Sequence, residues 1–269
     1  MHPRISVHGL CGSTSTLRED LDFWTSAGID NVGIPMSKLD AAGRDTGIKQ
    51  ILDADLRICH VVAVQAFDLF DPGAWERQRQ ALTEVVDVTR VLSAERLCIT
   101  AGPPGPLLAD EAAEAFTSAL RPVLDYARSQ GTPIAVEHNH VVRRALSFLN
   151  TLRDAIAYAR LTGVRVCAEV QNFWVEYDLQ RTIREGIGVI DLVQISDWIM
   201  TDSAAPPNRA ALGDGDIPLE RIMAWFLEAG YQGAFDIELV GPRIDREGYQ
   251  SAVTRSVSWL TAALNRLDA

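Results

Sequence analysis

Residues 133–169 read Pro133-Ile134-Ala135-Val136-Glu137, then an amphipathic run from Thr151 to Leu161, then Val164-Arg165-Val166-Cys167-Ala168-Glu169. Two short apolar runs flank a stretch of helical period, and each run stops at a carboxylate. The runs are apolar almost throughout rather than alternating, the pattern of a parallel strand covered on both faces. Strand, helix and strand in that order form a βαβ unit.

The same rhythm continues in both directions. Val164–Glu169 leads to a helix at Leu179–Glu185, Leu192–Ser196 to one at Leu219–Glu228, and Phe235–Val240 to one at Gly248–Leu267. Toward the N-terminus, Ile5–His8 precedes Ser15–Ser26, and Asn31–Ile34 precedes a helix through Ile48, Ile51 and Leu52. Arg57–Val64 precedes Trp75–Leu92, where Leu82, Val85, Val88 and Leu92 recur at helical spacing, and Arg96–Thr100 precedes Ala109–Ser129. Eight such units, about 30 residues apart, predict an α/β protein: one (β/α)₈ barrel domain spanning residues 1–269. His8-Gly9-Leu10-Cys11-Gly12-Ser13 after the first strand is not the G-x-G-x-x-G of a dinucleotide domain. Two loops fall on the expected catalytic rim: Ala101–Pro106, and the long Ile199–Ile217 with Pro206-Pro207 and Gly213-Asp214-Gly215-Asp216.

Composition narrows the function. The chain is 47% hydrophobic and 23% charged, enough to bury a large core. A formal net charge of −11 argues against a nucleic-acid surface, which needs a basic stripe, and against anionic membranes as partners. No run approaches the ~18 apolar residues of a spanning helix. Met1-His2-Pro3-Arg4 leads straight into Ile5 without a leader's apolar region, so a cytoplasmic protein is expected. Cys11, Cys59, Cys98 and Cys167 have no C-x-x-C spacing and read as buried reduced thiols.

The chemistry gathers where polar residues interrupt apolar strands. Glu137, Glu169, Gln194 and Glu238 stand near the C-terminal ends of four consecutive strands. A carboxylate in an apolar strand is expensive to bury unless paired or bound to metal. Strand ends converge at the top of a barrel, and three converging carboxylates repel without a cation between them. The all-oxygen set predicts one divalent metal ion, Mn²⁺ or Mg²⁺ ahead of Co²⁺ or Zn²⁺.

At these residues the chain resembles the xylose isomerase-like barrel superfamily, in particular its sugar phosphate isomerase/epimerase branch. That branch includes tagatose/psicose 3-epimerases, hydroxypyruvate isomerase and inosose dehydratase. The family's E-P-L-H appears as Glu137-His138-Asn139-His140, and its D-x-x-H-x-W-W-D-x-D-L as the segment Glu169 to Leu179. H-x-x-D-W appears as Gln194-Ile195-Ser196-Asp197-Trp198, R-x-x-x-G-D-G as Arg209 to Gly215, and E-x-E as Asp236-Ile237-Glu238. The resemblance implies that Glu137, Glu169, Gln194 and Glu238 bind the metal, and that Glu137 and Glu238 double as catalytic acid and base. Arg209 would reach substrate hydroxyls or an anionic group, and His140 and Asn172 would touch substrate. His8, at the end of the first strand, and the aromatic Trp174 would line the pocket. Asp197 would stand behind it, orienting a ligand or loop. This sequence departs from the family in having Glu169 for the usual Asp, Gln194 for the usual His, and Asn172 for a substrate-facing His.

The activity implied is an isomerase or epimerase of a small sugar or polyol-like keto compound, with proton transfer by glutamate through a metal-stabilised enediolate. Two rivals remain open. One is a lyase on the same site, a dehydratase of inosose or dehydroshikimate type or a C-glycoside-cleaving subunit. The other is a non-catalytic binding subunit. The family's endonuclease branch carries a histidine-rich three-zinc site on a basic face, whereas this acidic chain has five histidines. Homo-oligomerisation is left open. His60, inside an apolar strand, reads as a satisfied core histidine, and Trp225 and Trp259 as helix packing.

Overall fold

The computed structural model describes residues 1–201 and 207–269; Pro206 of the long loop lies outside the described residues. The strands are β1 (Ile5–His8), β2 (Asn31–Pro35), β3 (Arg57–Ala63), β4 (Leu97–Thr100), β5 (Ile134–Glu137), β6 (Arg165–Glu169), β7 (Ile190–Ile195) and β8 (Phe235–Ile237). All neighbours are parallel, and β1 pairs with both β2 and β8, so the sheet closes into a (β/α)₈ barrel.

The helices form the outer layer: α1 (Leu17–Ala27), α2 (Met36–Ala41), α3 (Arg44–Asp53), α4 (Trp75–Val91), α5 (Ala109–Ser129), α6 (Leu152–Thr162), α7 (Val170–Phe173), α8 (Leu179–Gly186), α9 (Leu219–Glu228), α10 (Pro242–Glu247) and α11 (Tyr249–Arg266). Their boundaries follow local chemistry. At α1, Thr16 accepts from the Glu19 N–H while Glu19 accepts from the Thr16 N–H, a reciprocal capping box. Gly28 then ends the helix in the left-handed region at φ 66°.

Helix α5 contains Pro122, which denies the Ser118 carbonyl its helical partner. Arg79 of α4 supplies the replacement, donating to Ser118 O (3.0 Å) and to Ala119 O (2.9 Å). The proline is thereby built into the α4–α5 contact.

Two apolar clusters result. The large one joins the outward faces of the strands to the helices. The small one comprises Cys59, Val62, Cys98, Ala135, Cys167, Leu192 and Ala234 and packs inside the barrel. All four thiols are free and buried. Side chains alternate along a strand, so Ala135 shares its face with Glu137, Cys167 with Glu169, Leu192 with Gln194, and Ala234 with Asp236 and Glu238. The small residues fill the barrel's floor, and the polar ones stand directly above them.

The last strand is shorter than its apolar run. Beyond Ile237 its neighbour β1 has already turned off into the tight turn Gly9–Cys11, and the Val240 carbonyl accepts instead from the Arg209 N–H (3.0 Å). Glu238 still donates its N–H to Ile195 O (3.1 Å), which places its side chain at the barrel's mouth.

Candidate functional site

Glu137 closes β5, Glu169 closes β6, and Glu238 directly follows β8. All three are buried. Arg209, only 2% exposed, sits on the glutamate cluster. One terminal nitrogen lies 2.9 Å from Glu169 Oε2; the other lies 2.8 Å from Glu238 Oε2 and donates to Glu238 O (2.7 Å). Its Nε donates to Gln171 Oε1 (3.2 Å).

The protonation states diverge accordingly. Burial pushes the Glu137 carboxyl up to about 7, helped by the Glu238 charge and opposed by Arg209 and Arg143. Burial also holds Glu169 well above the usual carboxylate range, against the pull of Arg209. For Glu238 burial acts in the same direction but is outweighed by Arg209 and then His8, bringing it down to about 2. Burial alone would weaken the Arg209 charge, yet Glu169 and Glu238 hold its guanidinium protonated above its ordinary value.

Arg209 thus serves the carboxylates as well as any substrate contact. Four of its five N–H groups go to Glu169, Glu238 and Gln171, so it clasps the two carboxylates together. Asp197 holds a loop in place. Its two oxygens accept from the N–H groups of Trp198 (2.9 Å), Gly213 (3.1 Å), Gly215 (3.0 Å) and Ile217 (3.1 Å), which organises the long loop after β7. Gln194 stands in register with Glu169 on one side and Asp236 on the other. Its amide oxygen accepts from the Cys167 thiol (3.1 Å), so it faces the barrel floor rather than the glutamates.

The remaining expected contacts surround the mouth. Asn172 donates to His138 O (3.0 Å). The ring of His140 meets Trp198 edge-on with centroids 6.4 Å apart, and its Nδ1 caps the turn at Val142. Trp174 packs half-buried against the core. His8 is buried, and the Leu10 N–H donates to its Nδ1 (3.0 Å), which leaves the proton on Nε2. Burial pulls its pKa down to about 4, so it is a neutral donor.

Beneath the glutamates lies a polar group that sequence reasoning missed. Ligand atoms of His8, His60 and Asp236 lie within 4.8 Å of one another, all buried. His60 Nε2 is 3.7 Å from Asp236 Oδ2, and the two histidine rings are 4.9 Å apart. His60 is not the satisfied core histidine expected, since neither ring nitrogen has a hydrogen-bond partner and neither Asp236 oxygen does. Gly33 makes its room: a Cβ there would fall 2.1 Å from His60 Cε1. The available signal was positional, because Asp236 shares the inward face of Glu238 two residues away.

The two sets differ in donor chemistry toward a cation. Three carboxylates against one guanidinium leave a formal charge of −2 when all are ionised, which a divalent cation neutralises, and oxygen donors suit it. The lower set offers His60 and Asp236, but His8 already spends the lone pair of Nδ1 on Leu10 and carries a proton on Nε2. The glutamate set fits better.

Several solved structures share this fold. A protein of Sinorhizobium meliloti is 22% identical with a TM-score of 0.84, each chain covered to 98%. The IolI protein, whose structure contains a bound zinc atom, is 16% identical with a TM-score of 0.86, over 98% of this chain and 99% of that one. A D-allulose 3-epimerase from Methylomonas sp., in complex with D-allulose, is 17% identical with a TM-score of 0.77, over 97% and 96% of the two chains. No curated protein matches the sequence. The model of the xylose isomerase-like TIM barrel matches residues 21–262, nearly the whole barrel, and the chain belongs to that family.

Proposed function

We propose that the protein is a divalent-metal-dependent isomerase or epimerase of a small keto sugar or polyol. The observation that carries this reading is that buried Arg209 pairs with both Glu169 and Glu238, while Glu137, at the end of β5, lies near enough for the charges of Glu238 and Arg209 to act on it. Two of those carboxyls are driven apart in acidity by their surroundings, the arrangement that separates a proton donor from a proton acceptor.

Glu137, Glu169 and Glu238 would hold the cation, with Mn²⁺ or Mg²⁺ the preferred ions and Gln194 joining after its amide turns from Cys167. When bound, the cation polarises the substrate carbonyl. Glu238, ionised and fixed by Arg209, takes the proton from the carbon beside that carbonyl. Glu137, which holds a proton up to about pH 7, returns one from its own side of the substrate. Return to the same carbon inverts it; return to the neighbouring carbon moves the carbonyl. His8 keeps an Nε2–H beside His60 and Asp236, and His140, Asn172 and Trp174 border the substrate. Four buried reduced thiols suit the cytoplasm.

The D-allulose complex of the Methylomonas enzyme on the same fold supports a ketose as the first substrate to try. The test is solvent exchange in D₂O with Mg²⁺ and a panel of ketoses, read by NMR. One deuterium at the carbon beside the carbonyl, absent with Glu238→Gln, supports the reading. Loss of water from the substrate would make the protein a lyase, and no exchange with any member would count against both.

A further inference from the structure

Glu137 is held by a neighbour two residues along the chain. The Asn139 side-chain amide donates to Glu137 Oε1 (2.7 Å), and among the described residues no other group hydrogen-bonds this carboxyl. Both side chains are buried, Asn139 to 1% exposure. The end of the amide that faces the carboxylate is its NH₂, since a carbonyl there would set oxygen against oxygen. A hydrogen bond to an ionised acceptor is among the strong ones.

Asn139 is itself fixed in place. Its N–H donates to Leu149 O (3.0 Å), and its carbonyl accepts from the Asn150 side chain (2.9 Å). Residues 147–150 are anchored in turn. The Leu149 N–H donates to Ser147 Oγ (3.1 Å), and Phe148 and Leu149 lie buried in the large apolar cluster. Just before them, Leu146 O accepts from the Gly102 N–H (2.8 Å), which ties the loop after β5 to the loop after β4. The loop after β5 thus folds back on the end of its own strand and holds the amide against Glu137.

Packing does not call for an amide at this position. Asn139 Oδ1 is buried without a partner, a cost that a leucine of the same branching would not bear. What the amide adds is its donor, and the donor goes to Glu137.

We propose that Asn139 is the positioning residue of Glu137: it holds Oε1 and leaves Oε2 as the oxygen that meets the substrate. An unheld glutamate samples several rotamers, whereas proton transfer needs the carboxyl within hydrogen-bond reach of the reacting group. The same grip fixes the direction in which Glu137 reaches a cation. This inference rests on the proposed proton-transfer function for the task of Oε2, while the grip on Glu137 stands on geometry.

The test compares wild type, Asn139→Leu, Glu137→Ala and the double variant for Mn²⁺ affinity by calorimetry. Wild type and Asn139→Leu are also compared for ketose exchange in D₂O with Mg²⁺. Circular dichroism checks that each variant folds, and Asn139→Ala replaces the leucine variant should that one fail. Asn139→Leu is expected to weaken Mn²⁺ binding about ten- to hundredfold. It should lower kcat at least tenfold while changing KM less than threefold. In the Glu137→Ala background the same substitution should change Mn²⁺ affinity less than twofold, because no carboxyl remains to orient. Affinity within threefold of wild type in Asn139→Leu, or an equal loss in both backgrounds, overturns the proposal. No exchange in the wild type, together with a Mn²⁺ loss that needs Glu137, would remove the proton-transfer reading and leave Asn139 as the holder of a metal ligand. Wild-type exchange that Asn139→Leu leaves untouched would do the reverse.

Discussion

Arg209 and Gly33 show how much of this site depends on single residues. Arg209 is the internal counter-ion of Glu169 and Glu238. Removing one partner from a buried ion cluster costs about 3–5 kcal/mol. Arg209→Met should therefore lower stability by roughly that amount in urea unfolding, and Mn²⁺ should recover part of the loss, because a cation takes over the same carboxylates. No recovery with Mn²⁺ would separate the carboxylates from metal binding. Gly33→Ala should cost about 1–3 kcal/mol by forcing the His60 ring aside. That cost should shrink in a Gly33→Ala/His60→Ala double variant, as a cycle of the four proteins would reveal. At this scale the sequence was legible where a carboxylate broke an apolar run, as at Glu137, Glu169 and Glu238. It was not legible at His60, because a parallel strand apolar on both faces does not show which side points inward. Nor did it show the direction of Gln194 or the partners of Arg209, since side-chain orientation is settled by neighbours far along the chain.

Elements carry their own devices. Arg79 links α4 to the carbonyls that Pro122 leaves open in α5. Charge-assisted bonds of this kind contribute about 1.5–3 kcal/mol, so Arg79→Ala should destabilise by that order. The penalty should be smaller in a Pro122→Ala background, where Ser118 O regains a helical N–H. Equal penalties in both backgrounds would mean that Arg79 acts through packing on Trp75 instead. Helices and strands were read from period and apolar runs to within a residue or two in most units. The exception was β8, which stops at Ile237 because β1 has turned away.

For the whole molecule, the closed barrel brings β5, β6 and β8 to one mouth and lets distant carboxylates act as a unit. Protons and metal then compete for the same oxygens. Burial raises the Glu137 carboxyl to about 7 from its ordinary 4.5, so the folded protein holds that proton until the pH passes about 7. A cation on one Glu137 oxygen disfavours that proton without excluding it from the other oxygen, and Mg²⁺ affinity should rise from pH 5.5 to 8, levelling above the Glu137 pKa; a flat profile would remove Glu137 from the ligand set. Eight repeats of strand and helix made the architecture readable from pattern alone. The hold of Asn139 on Glu137 was not, because it is set by the loop after β5, whose spacing carries no periodic signal.

The most direct test is Mn²⁺ binding to the wild type, Glu238→Gln and His60→Ala, with metal content measured by elemental analysis after dialysis. One equivalent in the wild type and in His60→Ala, lost or sharply weakened in Glu238→Gln, is the result predicted here. Metal retained by Glu238→Gln but lost from His60→Ala would place the cation beneath the glutamates and contradict the account. So would a wild-type protein that binds none.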